Sequence, residues 1–88
     1  MKVVWFSDAW DDYVALQAQD PELADKINAL IKEVRRSPFQ GLGKPEPLKN
    51  ELKGWWSRRI NWEHRLIYRV VGMGDDQTLE IATCRFHY

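Results

Sequence analysis

The sequence predicts an α+β fold in which two N-terminal helices pack on a small, mainly antiparallel β-sheet, in the order β-α-α-β-β-β. Two observations lead to this prediction. Two segments with helix start signals and apolar faces fill residues 7–36, whereas β-branched and aromatic segments precede them and recur after residue 54. A chain of 88 residues is the size of one small domain, so we expect residues 1–88 to form a single unit.

The N-terminal part predicts one strand and two helices. Residues 2–6 are β-branched and aromatic and predict the first strand. Ser7 is the expected cap of a short amphipathic helix. Asp20 followed by Pro21 is a second start signal, and that helix is expected to end at the pair Ser37-Pro38.

The C-terminal part predicts an ordered loop and a three-stranded meander. Residues 39–44 have no regular period and read as the loop, after which two prolines flank Glu46. Alternation over residues 55–62, then 64–71 and 78–87, predicts three strands, with a turn at residues 72–76 before the last.

Charge is balanced overall but unevenly distributed. Residues 1–33 carry three Lys and seven acids, a net charge of −4, and residues 75–88 carry one Arg and three acids. The middle segment, residues 34–74, carries nine Lys and Arg against three acids, a net charge of +6. Such a segment indicates either a local site for a polyanion or a solvated charged face, and charge alone does not separate the two.

Several other classes of protein are disfavoured. With one cysteine, Cys84, no internal disulfide can form, and a cytoplasmic location is expected. The longest apolar run, residues 3–6, is far too short for a membrane span or a secretory signal, so no membrane partner is expected. His64, Cys84 and His87 could ligate zinc, but no fourth ligand is evident and we expect no metal and no cofactor.

The most informative residues are three arginines on successive predicted strands and the ionisable groups around them. One sheet face could bring Arg59, Arg65 and Arg85 together, and clustered guanidinium groups repel one another unless an anion such as phosphate lies between them. The chain adds a carboxylate, a further cation and an imidazole–phenol pair, namely Glu46, Lys49, His87 and Tyr88. A base, an acid and fixed cations are what cleavage of RNA by its own 2′-hydroxyl requires. From the pattern alone, exposed arginines and a terminal histidine are more often plain surface than a catalytic site, by roughly two to one.

Blocks of sequence along the whole chain resemble one known family. The chain is similar to the YoeB (Txe) toxins of the RelE superfamily, from bacterial toxin–antitoxin modules, at residues 11–13, 27–32, 35–39, 43–49, 56–60, 63–68 and 84–88. The resemblance implies a ribosome-dependent endoribonuclease that cuts mRNA in the ribosomal A site and is held inactive by a YefM-type antitoxin. It leaves open whether the active form is a monomer or a homodimer.

The same resemblance assigns roles to single residues. It implies Glu46 as general base and His87 as general acid, with Arg65 in the catalytic set. Lys49 and Arg59, like Arg65, are then expected to contact the scissile phosphate, and Tyr88 to lie beside the reacting nucleotide. The residues alone add Arg85 to the RNA-binding group.

Two departures and one alternative accompany the resemblance. Phe86 stands where the family commonly has Tyr, and the turn at residues 72–76 is longer than usual. The alternative is a noncatalytic, ParE-like gyrase poison on the same scaffold, which binds protein and cuts nothing. Glu46 and His87 favour cleavage, because a pure binder has no need of an acid–base pair.

Overall fold

A computed structural model describes residues 1–85, and within them a five-stranded sheet carries two helices. The strands are β1 (Lys2–Trp5), β2 (Glu46–Pro47), β3 (Trp56–Arg59), β4 (Arg65–Val71) and β5 (Thr78–Thr83); the helices are α1 (Ser7–Gln19) and α2 (Pro21–Arg36). Short 3₁₀ turns at Asn50–Leu52 and Gly74–Asp76 precede β3 and β5. The predicted α+β class with both helices before the meander is confirmed.

The sheet is mixed, in the order β1-β5-β4-β3-β2. Strands β2 to β5 pair antiparallel, whereas β1 runs parallel to β5, with Trp5 beside Ile81. Parallel neighbours need a long connection between them. Here that connection comprises both helices and the other three strands, and only the last strand, β5, lies beside β1. The four-residue strand β1 and the two-residue strand β2 occupy the two edges of this sheet.

The core lies between the helices and one face of the sheet. Helix α2 contributes Ile27 and Val34, and the sheet contributes Leu66, Tyr68 and Ile81, all fully buried. Ile67, between Leu66 and Tyr68, lies on the other face of the sheet, opposite Ser57, and is buried there as well. Neither described helix combines the length and the apolar character needed to cross a membrane.

The predicted helix boundaries are largely correct. Asp20 caps α2, its carboxylate accepting from the Leu23 amide at 3.2 Å, and α2 ends at Arg36 before Ser37. The predicted cap at Ser7 is wrong. Ser7 is already the first helical residue, Phe6 occupies the cap position, and no side chain caps α1.

The strand predictions need three corrections. Strand β3 ends at Arg59 and not at residue 62, because Asn61 begins a turn. The last strand ends at Thr83, ahead of Arg85, and its expected continuation to residue 87 partly lies outside the described residues. Glu46 and Pro47, expected only as restricted backbone, form the edge strand β2.

Candidate active site

Pairing between strands brings three of the predicted site residues together. Arg59 of β3 lies directly opposite Arg65 of β4, so both side chains leave the same face of the sheet. Glu46 of β2 lies opposite Ser57, which is on the face of β3 that also carries Arg59. The face opposite the helices thus carries a carboxylate at its edge and two guanidinium groups beside it.

These side chains line a small cleft of about 60 Å³. Its walls are formed by Gly43, Lys44, Glu46, Ser57, Arg59 and Arg65. Within residues 1–85, the ion pairs of the molecule involve other side chains, and none of them neutralises Lys44, Arg59 or Arg65 with an acid. Three cations facing one small cleft make it suited to an anion such as a phosphodiester.

Arg65 is held in place by backbone carbonyls. Its Nη1 donates to the carbonyl of Asn61 at 2.9 Å and to that of His64 at 3.2 Å. The Asn61 side chain fixes the same turn by accepting from the amides of Glu63 and His64, at 2.9 and 2.7 Å. The guanidinium is therefore oriented before any ligand arrives, and it keeps donors free for one because Nη1 alone makes these two bonds.

The loop that leads to Glu46 has an unusual backbone. Gly41 and Gly43 adopt φ values of 103° and 84°, and Lys44, which has a side chain, adopts 51°. A residue other than glycine in this left-handed region is uncommon and persists where the surroundings enforce it. The bond from the Arg59 amide to the Gly43 carbonyl, at 2.6 Å, ties this loop to the end of β3.

Arg58 anchors the same loop from inside the protein. It is fully buried, and its guanidinium donates to the carbonyls of Ser37, Gln40 and Leu42. Its Nε donates to the Tyr68 hydroxyl at 3.1 Å. The alternation predicted over residues 55–62 puts Arg58 on the same strand face as Trp56 and Ile60, but no role was predicted for it. The sequence did contain a signal for this role, namely an arginine among apolar residues on one strand face. A buried charge requires several hydrogen-bond partners, so such an arginine is expected to anchor nearby backbone.

The other predicted site residues lie elsewhere or outside the described chain. Lys49 follows β2 and is exposed, and it does not line the cleft. Arg85 was expected on the third strand beside Arg59 and Arg65, but it lies beyond the end of β5 and its Nη1 is 3.5 Å from Asp12 of α1. His87 and Tyr88, the predicted acid and its neighbour, lie outside the described residues.

Cys84 is a buried thiol and not a reactive one. Its Sγ lies 3.7 Å from the Ala9 carbonyl, and burial, helped by the negative charge of Asp12, raises the pKa of Cys84 to about 11. His64 is also buried, with Nε2 3.2 Å from the Glu63 carboxylate. In residues 1–85, no group of three or more His, Cys, Asp and Glu is arranged to hold a metal ion.

Comparison with known proteins decides the family. Residues 5–88 match the family of YoeB-like toxins of bacterial type II toxin–antitoxin systems. The chain belongs to this family. Toxin YoeB of Escherichia coli K12 is 54% identical over 88 residues, with complete coverage of both chains. Toxin YoeB of Synechocystis is 51% identical over 88 residues, covering all of this chain and 98% of its own.

Solved structures agree with this assignment. The YoeB/ParE toxin from Agrobacterium tumefaciens has a TM-score of 0.98 and 56% identity, with both chains fully covered. The toxin in a heterotetrameric YoeB–YefM complex from Staphylococcus aureus has a TM-score of 0.88 and 43% identity over all of this chain and 98% of that one. YafQ from E. coli, at 18% identity and a TM-score of 0.74 over 98% of this chain and 92% of its own, shares the fold alone. The resemblance noted in the sequence is thereby confirmed.

Proposed function

We propose that this YoeB-family toxin, acting as one domain over residues 1–88, is a ribosome-dependent endoribonuclease that cuts mRNA in the ribosomal A site and so inhibits translation. The observation that carries the proposal is the cleft in which Glu46 faces Arg59 and Arg65. Within residues 1–85 neither guanidinium forms an ion pair with an acid. A carboxylate beside two such groups suits a reaction in which a proton is removed while negative charge develops on a phosphate.

The proposed reaction is an internal transfer within the RNA. Glu46 accepts the proton of the 2′-hydroxyl, whose oxygen then bonds to the adjacent phosphorus. The bond from phosphorus to the 5′-oxygen breaks, and His87 donates a proton to that leaving oxygen, so atoms and charges balance without a metal or cofactor. The role of His87, like the position of Tyr88 beside the nucleotide, rests on the family resemblance.

The cations stabilise the developing charge in this scheme. Arg59 and Arg65 lie opposite each other on adjacent strands, and Arg65 is already held by two carbonyls. Such preorganised donors stabilise a charged transition state without reorganisation at the moment of reaction. Lys49 and Arg85 lie outside the cleft, so we assign them to contacts with more distant phosphates of the mRNA.

Neutral overall charge supports action on the ribosome rather than on free RNA. The chain carries 13 basic and 13 acidic residues. A nuclease that binds free RNA depends on many phosphate contacts for its affinity. A toxin that works inside the cytoplasmic ribosome can take its substrate already positioned by the host particle.

Primer extension on mRNA from cells expressing the toxin tests this function, with His87→Gln as the inactive control. We expect cuts in phase with codons for the wild-type chain and uncut mRNA for the variant, because loss of a general acid costs about 10²–10⁴-fold. Intact mRNA together with damaged DNA in wild-type cells would favour the ParE-like alternative. Equal cutting by both proteins would remove His87 from the mechanism.

The antitoxin is proposed to be YefM-like and to cover the basic face. A YoeB–YefM complex and a YoeB dimer are known from S. aureus. In this chain, residues 34–74 have a net charge of +6, and a disordered acidic segment could fold onto them. Trp55 is half-buried between Phe6 and Arg69, whose guanidinium lies 4.4 Å from the indole centre, so it offers only part of its surface.

Hydrogen exchange with and without a YefM-type antitoxin tests that surface. We expect protection of residues 45–65 and 84–88. Protection confined to residues 8–34 would show that the antitoxin binds the acidic helical side, and would contradict the proposal.

A further inference from the structure

A second cavity adjoins the cleft and has no role in the scheme above. It encloses about 370 Å³ between α2, the loop at residues 42–44 and the end of β3. We call it the apolar lobe; it is lined by Lys26, Ala29, Leu30, Leu42, Gly43, Lys44, Arg59 and Ile60. Gly43, Lys44 and Arg59 also line the cleft. The apolar lobe and the cleft are therefore neighbours that share these three residues as a common wall.

The walls of the apolar lobe are aliphatic. Leu30 and Ile60 are buried, Ala29 is exposed, and Leu42 leaves 56% of its surface open although it is a large apolar residue. Leu42 is not loosely placed, because Arg58 holds its carbonyl at 2.9 Å. A preformed apolar cavity of this volume lies within the range of small-ligand sites, about 300–1,000 Å³.

The charges around the apolar lobe are all positive. Lys26, Lys44 and Arg59 border it, and within residues 1–85 none of them forms an ion pair with an acid. The lobe therefore suits an uncharged, largely apolar group attached to an anionic chain. A nucleobase joined to a phosphodiester backbone has this chemistry.

We propose that the apolar lobe receives the base of an mRNA nucleotide flanking the phosphate held in the cleft. This rests on the proposed function, because it assumes that the cleft holds RNA. Lys44 and Arg59 would contact the backbone where it passes from one space to the other. The aliphatic part of the wall offers contact area to any base, because hydrogen-bonding side chains occur only among the cations that border the lobe.

An acidic peptide from a protein partner is the competing occupant. An apolar side chain could enter the lobe while nearby carboxylates meet the cations. The carboxylate of Glu46 in the adjoining cleft repels carboxylates and phosphates alike. RNA, however, also brings a 2′-hydroxyl that donates to this carboxylate, whereas an acidic side chain brings no such donor. The cleft and the apolar lobe together therefore favour a nucleotide. The experiment below also detects binding of a peptide.

The test measures toxin affinity for ribosomes programmed with an uncleavable mRNA. The A-site nucleotides carry 2′-deoxyriboses, which removes the nucleophile, and one base at a time is deleted to leave an abasic site. The proteins are the wild-type chain, Ala29→Phe, which fills the lobe, and Ala18→Phe, which places the same ring at an exposed site on α1. Leu42→Ala, at an exposed position, is a second variant that changes the wall of the lobe. Thermal melting checks that each variant folds.

We expect removal of one particular base to weaken wild-type binding about five- to tenfold, the low end for contact with a single base. Ala29→Phe should bind the complete mRNA about as weakly as the wild-type chain binds the abasic one, and lose nothing further without the base. Leu42→Ala should shrink the effect of the missing base, and Ala18→Phe should match the wild-type chain.

Two results would overturn the inference. In the first, base removal at every position leaves wild-type affinity unchanged. In the second, Ala29→Phe weakens binding of a YefM-type antitoxin but not of mRNA, which would assign the lobe to a peptide. Neither result touches the proposed function, which fails separately if the wild-type toxin leaves ordinary mRNA uncut on the ribosome.

Discussion

Arg58 and Tyr68 form one hydrogen-bonded unit beneath the candidate active site. Arg58 Nε donates to the Tyr68 hydroxyl at 3.1 Å, and that hydroxyl donates to the Pro38 carbonyl at 2.6 Å. Both side chains are fully buried. Burial raises the pKa of Tyr68, and the bond from Arg58 and its charge oppose that rise in part. Together they fix the segment between α2 and Glu46 to the sheet.

Tyr68→Phe should therefore destabilise the fold. The change leaves Arg58 Nε and the Pro38 carbonyl without their partner, which costs about 1–3 kcal/mol for a buried group. Tyr13→Phe is the matched control, because the Tyr13 hydroxyl donates to Asn28 at an exposed site. Urea denaturation of the three proteins measures the difference. Equal free energies of unfolding for the two variants would mean that the buried hydrogen bonds of Tyr68 contribute no more to stability than the exposed one of Tyr13.

Glu46→Gln should reduce cleavage without changing stability. Glu46 is exposed on β2, so the fold does not depend on its charge, whereas loss of a general base costs about 10²–10⁴-fold in rate. Glu51→Gln, at an exposed acid in the following 3₁₀ turn, should cleave like the wild-type toxin. Single-turnover cleavage on reconstituted ribosomes gives the rates. A Glu46→Gln protein as fast as Glu51→Gln would exclude the proposed base.

Arg65→Lys should impair cleavage more than ribosome binding. Lysine keeps the positive charge but loses the planar, two-pronged geometry that matches a phosphate. A single ammonium that replaced Nη1 at the Asn61 and His64 carbonyls would leave no second nitrogen for the phosphate. Arg35→Lys, at the exposed end of α2, is the matched control. Toxin affinity and the cleavage rate at saturation are measured separately. If both fall by the same factor, Arg65 only anchors the toxin.

The helices could be predicted from local signals, whereas the sheet edges could not. The Asp20-Pro21 pair and Ser37 mark the ends of α2 because capping acts within a few residues. The parallel pairing of β1 with β5 depends on residues more than 70 positions apart, and the strand at Glu46 exists only because Ser57 pairs with it. Neither pairing leaves a periodic pattern in the sequence.

Site residues could be predicted where a hairpin brings them together. Residues whose positions depend on tertiary contacts could not be predicted. Arg59 and Arg65 flank one short connection, so their meeting on one face follows from the meander. Arg85 departs from that face because the chain bends after Thr83, and it turns to Asp12 of α1. Arg58 received no role because its partners are carbonyls of a loop with no regular period.

Gly43→Ala should destabilise the loop beside the cleft. Gly43 has a φ of +84°, and a β-carbon there would lie 2.9 Å from both the Arg59 carbonyl oxygen and Leu30 Cδ2. Gly54→Ala is the matched control, because Gly54 also has a positive φ, +98°, but no atom within 4 Å of its added carbon. Backbone strain of about 1–2 kcal/mol applies to both. The contacts add roughly 1–3 kcal/mol at Gly43 alone, and thermal melting of both variants detects the difference. Equal melting temperatures would mean that the loop moves aside at no cost.

Alkaline unfolding should depend on Cys84. The pKa of this thiol is about 11 in the folded protein and 9.0 as its ordinary value, because burial and then Asp12 disfavour the thiolate. Below pH 9 the thiol is protonated in both states, and its contribution to stability is fully present. Between pH 9 and 11 the unfolded chain releases the proton while the folded chain retains it, so stability falls as pH rises, by roughly 2–3 kcal/mol in all.

Cys84→Ala should flatten this alkaline limb. The smaller side chain leaves a cavity whose cost does not vary with pH, so the variant is less stable at pH 7 but loses less between pH 9 and 11. Tyr68 is present in both proteins, and its raised pKa affects both curves alike. Urea unfolding at half-unit steps from pH 7 to pH 11 compares the two slopes. Parallel curves would show that the thiol has the same pKa in the folded and the unfolded chain. Burial and Asp12 would then have no net effect on the ionisation of Cys84.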